Sequence, residues 1–125
     1  VIRLREGQLS FQDMPNSYTV GEVLDVHLEE AMVRQRALDL WVVVLTASGR
    51  LIFVTETGFS DTAAAFKQAV PVDEVAHSVL NFTVPEGLAG HYILLAAFNN
   101  PDAGIEDLKH SLRSNLAQVA VDLVE

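Results

Sequence analysis

The sequence predicts an all-β protein built as an antiparallel β-sandwich, with one short helix near its C-terminal end. Turn-forming residues recur at intervals of strand length, and most segments between them alternate apolar with polar side chains. About seven such segments with regularly spaced turns are typical of a sandwich rather than of a parallel sheet. The turn signals are Glu6-Gly7, Pro15–Ser17, Gly21, Ser48-Gly49, Gly58, Pro71, Pro85–Gly87, Gly90 and Asn99–Asp102.

The first strands are short or half-buried. Residues Ile2–Phe11 predict one or two edge strands. The stretch "GEVLDVHLEE" then alternates cleanly, with Leu24, Val26 and Leu28 on one face and charged or polar residues on the other. This pattern predicts a strand with one face in the core and one in water.

A central hairpin is predicted where "LDLWVVVLTA" and "RLIFVTE" flank Ser48-Gly49, because a short Gly-containing connection suits paired strands. The first of these strands is apolar on both faces. One face carries Leu40, Val42 and Val44, and the other carries Trp41, Val43 and Leu45. We expect the tryptophan face to lie in the inter-sheet core, because a bulky ring excludes the most water there.

The opposite face of that strand also requires cover. The segment Ile105–Leu116 is the expected lid, because its apolar residues recur at helical spacing and need a surface to pack on. The Ala63–Val70 segment, a second domain or an identical chain would also satisfy this requirement.

Three later stretches, "HSVLNFTVP", "GHYILLAAF" and "LAQVAVDLVE", predict further strands. The stretch "GIEDLKHSLRSNL" predicts a short helix over Ile105–Ser114, with acids early and bases late as the helix dipole favours. A second helical turn could follow Ser60 or Asp61 in "SDTAAAFKQAV" and would end before Pro71.

The stretch "VPEGLAGHYILLAAF" resembles the tyrosine corner of immunoglobulin-like folds, with Gly90, Tyr92 and Leu94 at the matching places. The resemblance implies that the Tyr92 hydroxyl bonds backbone within Pro85–Gly90. It also implies a core role for Trp41. The chain departs from the pattern because it has no cysteine, so packing must replace the disulfide.

The stretches "YTVGE", "DLWVVVLTASGRLIF" and "VPEGLAGHYILLAAF", within roughly Tyr18–Phe98, are more broadly similar to sandwich modules of large bacterial secreted and surface proteins. Residues 1–125 are expected to form one domain, excerpted from a longer protein. The resemblance implies a non-catalytic structural or protein-interaction module, located outside the cell or in the periplasm. Its partners would be other domains of the same polypeptide or another protein, and a homodimer is an alternative.

Charge and composition exclude several classes. Seventeen acidic residues against eight basic ones give a net charge of -9, which would repel a nucleic-acid backbone. The absence of cysteine excludes disulfides and thiolate zinc sites. No apolar run approaches the roughly 20 residues of a membrane-spanning helix, so we expect no membrane insertion.

The loop "NNPDAGIED" offers oxygen ligands of the kind that Ca²⁺ prefers. Its candidate metal-binding residues are Asn100, Asp102, Glu106 and Asp107. Turn formation and helix capping explain the same residues without an ion, and the EF-hand order is absent. We therefore predict no metal and no cofactor.

A carbohydrate site would need exposed aromatic rings, and Tyr18 and Phe59 are the candidates because both lie beside turn residues. Trp41 and Phe53 stand in apolar strands and are expected in the core. No nucleophile elbow, phosphate loop or zinc-binding His-Glu pattern is present, so we expect no catalytic residues and no enzyme. A Ca²⁺- or carbohydrate-binding accessory module is the alternative function.

Overall fold

The structure is a computed structural model that describes residues 8–12, 14–31, 34–99 and 115–125. Ten strands lie in these ranges: β1 (Leu9–Phe11), β2 (Ser17–Thr19), β3 (Val23–Glu30), β4 (Leu38–Thr46), β5 (Leu51–Thr55), β6 (Gly58–Ser60), β7 (Lys67–Val70), β8 (Ala76–Thr83), β9 (Gly90–Asn99) and β10 (Ala117–Val124). The described residues contain no helix.

The strands form two sheets, and the all-β, sandwich-like prediction is confirmed at that level. The smaller sheet has the order β1-β3-β8. The larger has seven strands, six in the order β2-β10-β9-β4-β5-β6, while β7 pairs with β4. The pairing is mixed rather than purely antiparallel, because β2 runs parallel to β10.

Strand β3 has the predicted half-buried pattern, with Leu24, Val26 and Leu28 in the core. Its neighbour β8 departs from strict alternation, because Val79 and Leu80 are both buried. The register between the two strands shifts after Val26, which pairs with Leu80 while the next residue pairs with Ser78. This irregularity allows two successive residues to face apolar surroundings.

Strand β4 is buried on both faces, but the prediction that the Trp41 face lies between the sheets is wrong. Leu38, Leu40, Val42 and Val44 belong to the inter-sheet core. Trp41 and Val43 form a separate cluster with Phe53 on the opposite face, where the Trp41 and Phe53 rings meet edge to face at 6.0 Å.

The physical reason lies in Asp39, two residues before the tryptophan. Asp39 shares the strand face of Trp41 and is only 2% exposed, so its carboxylate needs a hydrogen-bond donor on the side to which that face turns. On the observed face the Asp39 carboxylate accepts a hydrogen bond from the Ala69 amide at 2.8 Å. Leu38 takes the inward position instead and is fully buried.

The predicted helix Ile105–Ser114 lies outside the described residues, as does most of the Ile105–Leu116 lid. The described end of the lid, Leu116, is half exposed. Ala65, which belongs to the alternative covering segment Ala63–Val70, packs against the Trp41 cluster.

The predicted helical turn after Ser60 or Asp61 is wrong, because the chain from Lys67 to Val70 is strand β7. Strand β5 pairs with only the second half of β4 and leaves the first half of that edge open. Strand β7 pairs there, with Leu38 opposite Val70. Satisfying exposed backbone groups of a buried strand outweighs a weak local helical preference.

The predicted tyrosine corner is confirmed. The Tyr92 hydroxyl donates to the Leu88 carbonyl at 2.8 Å, and the ring is partly buried. Gly87 and Gly90 have φ values of 90° and 152° in this turn, which non-glycine residues rarely adopt. The bond fixes the entry of β9 into the larger sheet.

A buried ion network, formed by Glu30, Arg34 and His77, lies at the other end of the sandwich. The Glu30 carboxylate accepts from Arg34 Nε at 2.6 Å and contacts His77 Nε2 at 2.8 Å, and all three side chains are almost fully buried. Arg34 also donates to the Val70 and Pro71 carbonyls and lies over the Phe98 ring. The network joins elements of both sheets.

Replacing Tyr92 by phenylalanine removes one hydroxyl and keeps the ring. We expect the Y92F variant to lose about 1 kcal/mol of unfolding free energy, the usual net contribution of one such hydrogen bond. Urea denaturation measures the change. A variant as stable as the parent would show that the corner bond contributes nothing to the fold.

Replacing Glu30 by glutamine leaves the Arg34 charge buried without its counter-charge. We expect about 3 kcal/mol of destabilisation, because breaking a buried ion pair exposes the full desolvation cost of the remaining ion. Asp25→Asn is the matched control, since Asp25 lies on the same strand and pairs with His27 in solvent. A control that costs as much as Glu30→Gln would contradict this account.

Candidate functional site

An inter-sheet cavity of about 480 Å³ opens at the end of the sandwich opposite the buried ion network. The β4–β5 turn, the β8–β9 turn and the start of β3 surround it. Its lining is mainly apolar and consists of Leu24, Val44, Thr46, Arg50, Ile52, Phe59, Asp61, Leu80, Phe82, Leu88, Tyr92, Leu94, Val121 and Leu123.

The cavity results from the unequal widths of the two sheets. In the described residues β8 is the edge of the smaller sheet, while the larger sheet continues past β4 through β5 and β6. The described part of the smaller sheet has no strand beyond β8. Phe59 of β6 reaches Phe82 of β8 edge to face, with ring centres 5.9 Å apart, so one aromatic pair bridges the gap.

The floor of the cavity is part of the core. Val44, Leu94, Val121 and Leu123 are buried there, and their side chains offer water no hydrogen bond. At the mouth Phe59 is 55% exposed and Leu88 is 38% exposed. Apolar surface therefore runs continuously from solvent into the core, which is unusual for a closed sandwich.

The polar part of the rim is a cross-strand ion pair. Arg50 follows the β4–β5 turn and its guanidinium donates to the Asp61 carboxylate, with both side chains mostly exposed. The Thr46 hydroxyl accepts from the Arg50 amide at 3.1 Å, which orders the turn beside the cavity. Polar groups thus lie at the mouth and apolar groups within.

The structure separates the two candidate carbohydrate-binding rings. Phe59 is exposed as predicted, but Tyr18 is only 5% exposed and packs in the inter-sheet core, so the prediction that it is exposed is wrong. Burial and the charges of Asp25 and Glu22 raise the pKa of the Tyr18 hydroxyl. Strand β2 pairs along β10, and the alternation that leaves its neighbours exposed turns Tyr18 inward.

The four candidate metal ligands, Asn100, Asp102, Glu106 and Asp107, lie outside the described residues. Within the described ranges no group of three or more His, Asp and Glu side chains could hold a metal ion. His27 and His91 are exposed beside Asp25 and Asp122 respectively.

Sequence reasoning did not find the cavity or the buried ion network. One feature of the sequence could have indicated the network. Arg34 is one of only eight Lys and Arg residues and follows Glu30, at the end of a predicted strand, by four positions. Burial of His77 on the inward face of β8 was not foreseen. No local sequence pattern indicated the cavity, because its lining comes from seven separate strands and from turns between them.

No family model and no curated protein matches this chain. A search of solved structures finds similarity to an AA10 lytic polysaccharide monooxygenase from Streptomyces lividans, with 18% sequence identity and a TM-score of 0.38. The match covers 88% of this chain and 58% of the monooxygenase chain. A likeness at this level assigns no activity to the protein.

The prediction of a non-catalytic structural or protein-interaction module is not supported by this comparison, in which the similar structure is that of a monooxygenase. The prediction depended on a resemblance between sandwich folds, and a sandwich supports catalytic and non-catalytic proteins alike. We withdraw it together with the carbohydrate-binding half of its accessory-module alternative, because the burial of Tyr18 removes one ring of the expected aromatic pair. The Ca²⁺-binding half concerns residues outside the described ranges and stays a prediction. Among the described residues there is no helix long and apolar enough to cross a bilayer.

Proposed function

We propose that the protein binds a small, largely apolar molecule in the inter-sheet cavity. The observation that carries this proposal is the continuous apolar path from exposed Phe59 and Leu88 to the buried floor at Val44 and Leu94. Binding sites for small molecules are concave and mostly apolar, with a few polar groups placed at particular points. At about 480 Å³ the cavity falls within the size range of such sites.

Water is a poor occupant of this space. A buried water needs two to four hydrogen-bond partners, and an apolar cavity without them stays dry or takes an apolar guest. Leu24, Leu80 and Leu94 provide no such partner, and the polar groups of Arg50 and Asp61 lie at the rim. The hydroxyls of Thr46 and Tyr92 also line the cavity, but both already bond protein groups. An apolar guest would gain from burial without displacing a protein hydrogen bond.

The scaffold around the cavity supports an immunoglobulin-like assignment. One support is the Tyr92 corner bond. The other is the N-terminal part of the chain, where β1 belongs to the smaller sheet and β2 pairs in parallel with β10 of the larger sheet. An extracellular or periplasmic location, a single domain over residues 1–125 and an additional protein partner or second copy follow from that assignment and share its status as proposals.

A series of linear alcohols tests the proposal. Each methylene added between butan-1-ol and octan-1-ol should tighten binding by about fourfold, because burying one methylene is worth about 0.8 kcal/mol. In a methyl NMR titration the Val44, Leu94 and Leu123 signals should shift while those of Leu38 and Val70 at the far end stay in place. Affinity that does not depend on chain length would contradict the proposal.

A matched pair of variants locates the binding site. Ile52→Trp enlarges a half-buried side chain that lines the cavity, so octan-1-ol binding should be lost. Leu51→Trp makes the same addition one residue earlier, on a side chain that is 45% exposed and does not line the cavity. Equal loss of binding in both variants would show that the alcohol binds elsewhere.

A further inference from the structure

We infer, on the basis of the proposed function, that the ligand is a cationic amphiphile whose ammonium group lies at Asp61 and whose apolar body fills the inter-sheet cavity. The apolar lining of the cavity indicates an apolar body for the ligand. The charge around the mouth indicates a cationic head group.

The end of the sandwich that contains the mouth is strongly acidic. It is formed by segments 21–25, 46–50, 58–61, 82–92 and 121–125, which carry one arginine, Arg50, and six carboxylate residues. These carboxylates are Glu22, Asp25, Asp61, Glu86, Asp122 and Glu125. The whole chain has the same sign, with a net charge of -9. Low-dielectric walls focus such a field at a cavity mouth and raise the local concentration of cations.

Asp61 is the acid in this group that lines the cavity. It lies two residues after Phe59, just past the end of β6, at the place where the apolar lining ends. Its present partner is Arg50, and the two side chains are 73% and 61% exposed. The guanidinium contacts Oδ1 of Asp61 in this exposed pair, so an incoming ammonium group can bind the same carboxylate and add a second exposed ion pair.

Phe59 adds a second attraction. Its exposed ring stands at the mouth, and the face of an aromatic ring attracts an ammonium group within about 6 Å of its centre. An anionic head group would be repelled. A ligand carboxylate at Arg50 would have to displace Asp61 and would lie among the other acidic residues. A neutral head group gains from neither effect.

Three probes with the same chain separate these cases: octan-1-ol, octylammonium and octanoate. At low salt octylammonium should bind about two- to fivefold more tightly than octan-1-ol, the range expected of one exposed ion pair. Octanoate should bind more weakly than either. The preference for octylammonium should shrink as salt rises, because salt screens exposed charges.

Two charge-matched variants test the role of Asp61. Asp61→Asn should bring the ratio of octylammonium to octan-1-ol affinity close to one. Asp73→Asn removes the same charge from an exposed loop beside the buried ion network and should keep most of the ratio. Arg50→Gln should raise the ratio, because it frees Asp61 from its present partner.

The outcomes separate this inference from the proposed function. If octan-1-ol shifts the Val44 and Leu94 methyl signals but octylammonium binds no more tightly, the cationic head group is wrong and the apolar site stands. Tighter binding of octanoate than of octan-1-ol would also overturn the inference. If none of the three probes shifts those methyl signals, the site itself is wrong.

Discussion

The constraint on which the cavity depends is the unequal width of the two sheets. A sandwich closes when each inner face has an equally wide face opposite, since apolar side chains must be buried from both sides. Here β8 ends the described part of the smaller sheet, while β5 and β6 extend the larger one past it. Residues that would interdigitate in a balanced sandwich leave a gap, and the contact between Phe59 and Phe82 spans it. The exposure of Phe59 and the continuity of apolar surface into the core both follow from this mismatch.

The two ends of the sandwich are held by different interactions. At one end Glu30, Arg34 and His77 fill the space between elements with a buried network in which the guanidinium also satisfies backbone carbonyls. Such a network tolerates little movement, because any loosened member becomes an unpaired buried polar group. At the other end the side chains around the cavity meet mainly through apolar contacts, and polar contacts such as the Tyr92 corner bond and the Arg50–Asp61 pair lie at its rim. Apolar contacts are non-directional and can adjust to a guest, which suits this end to ligand binding.

The sequence predicted what is local and missed what depends on distant partners. Alternation along β3 and the Ser48-Gly49 turn identified those strands, and the spacing around Tyr92 identified the corner. The orientation of β4 could not be predicted from its apolar residues, because both faces are apolar. Asp39 was the residue that distinguished the two faces, since its carboxylate needs a hydrogen-bond donor. Strand β7 was not predicted, because its residues are extended by pairing with the open edge of β4. Local propensity does not indicate such a distant partner. Tyr18 was expected to be exposed because it lies beside turn residues, yet its pairing along β10 turns it inward.

A crystal of the protein equilibrated with xenon under pressure tests the central claim, that the inter-sheet cavity is a dry apolar space which accepts an apolar guest. Xenon enters apolar cavities without needing a hydrogen bond. The account predicts a xenon site in contact with Val44 and Leu94, with Phe59 and Leu88 at the mouth and no change in the two sheets. A cavity filled with ordered water instead, or Phe59 folded inward so that no space remains, would contradict it.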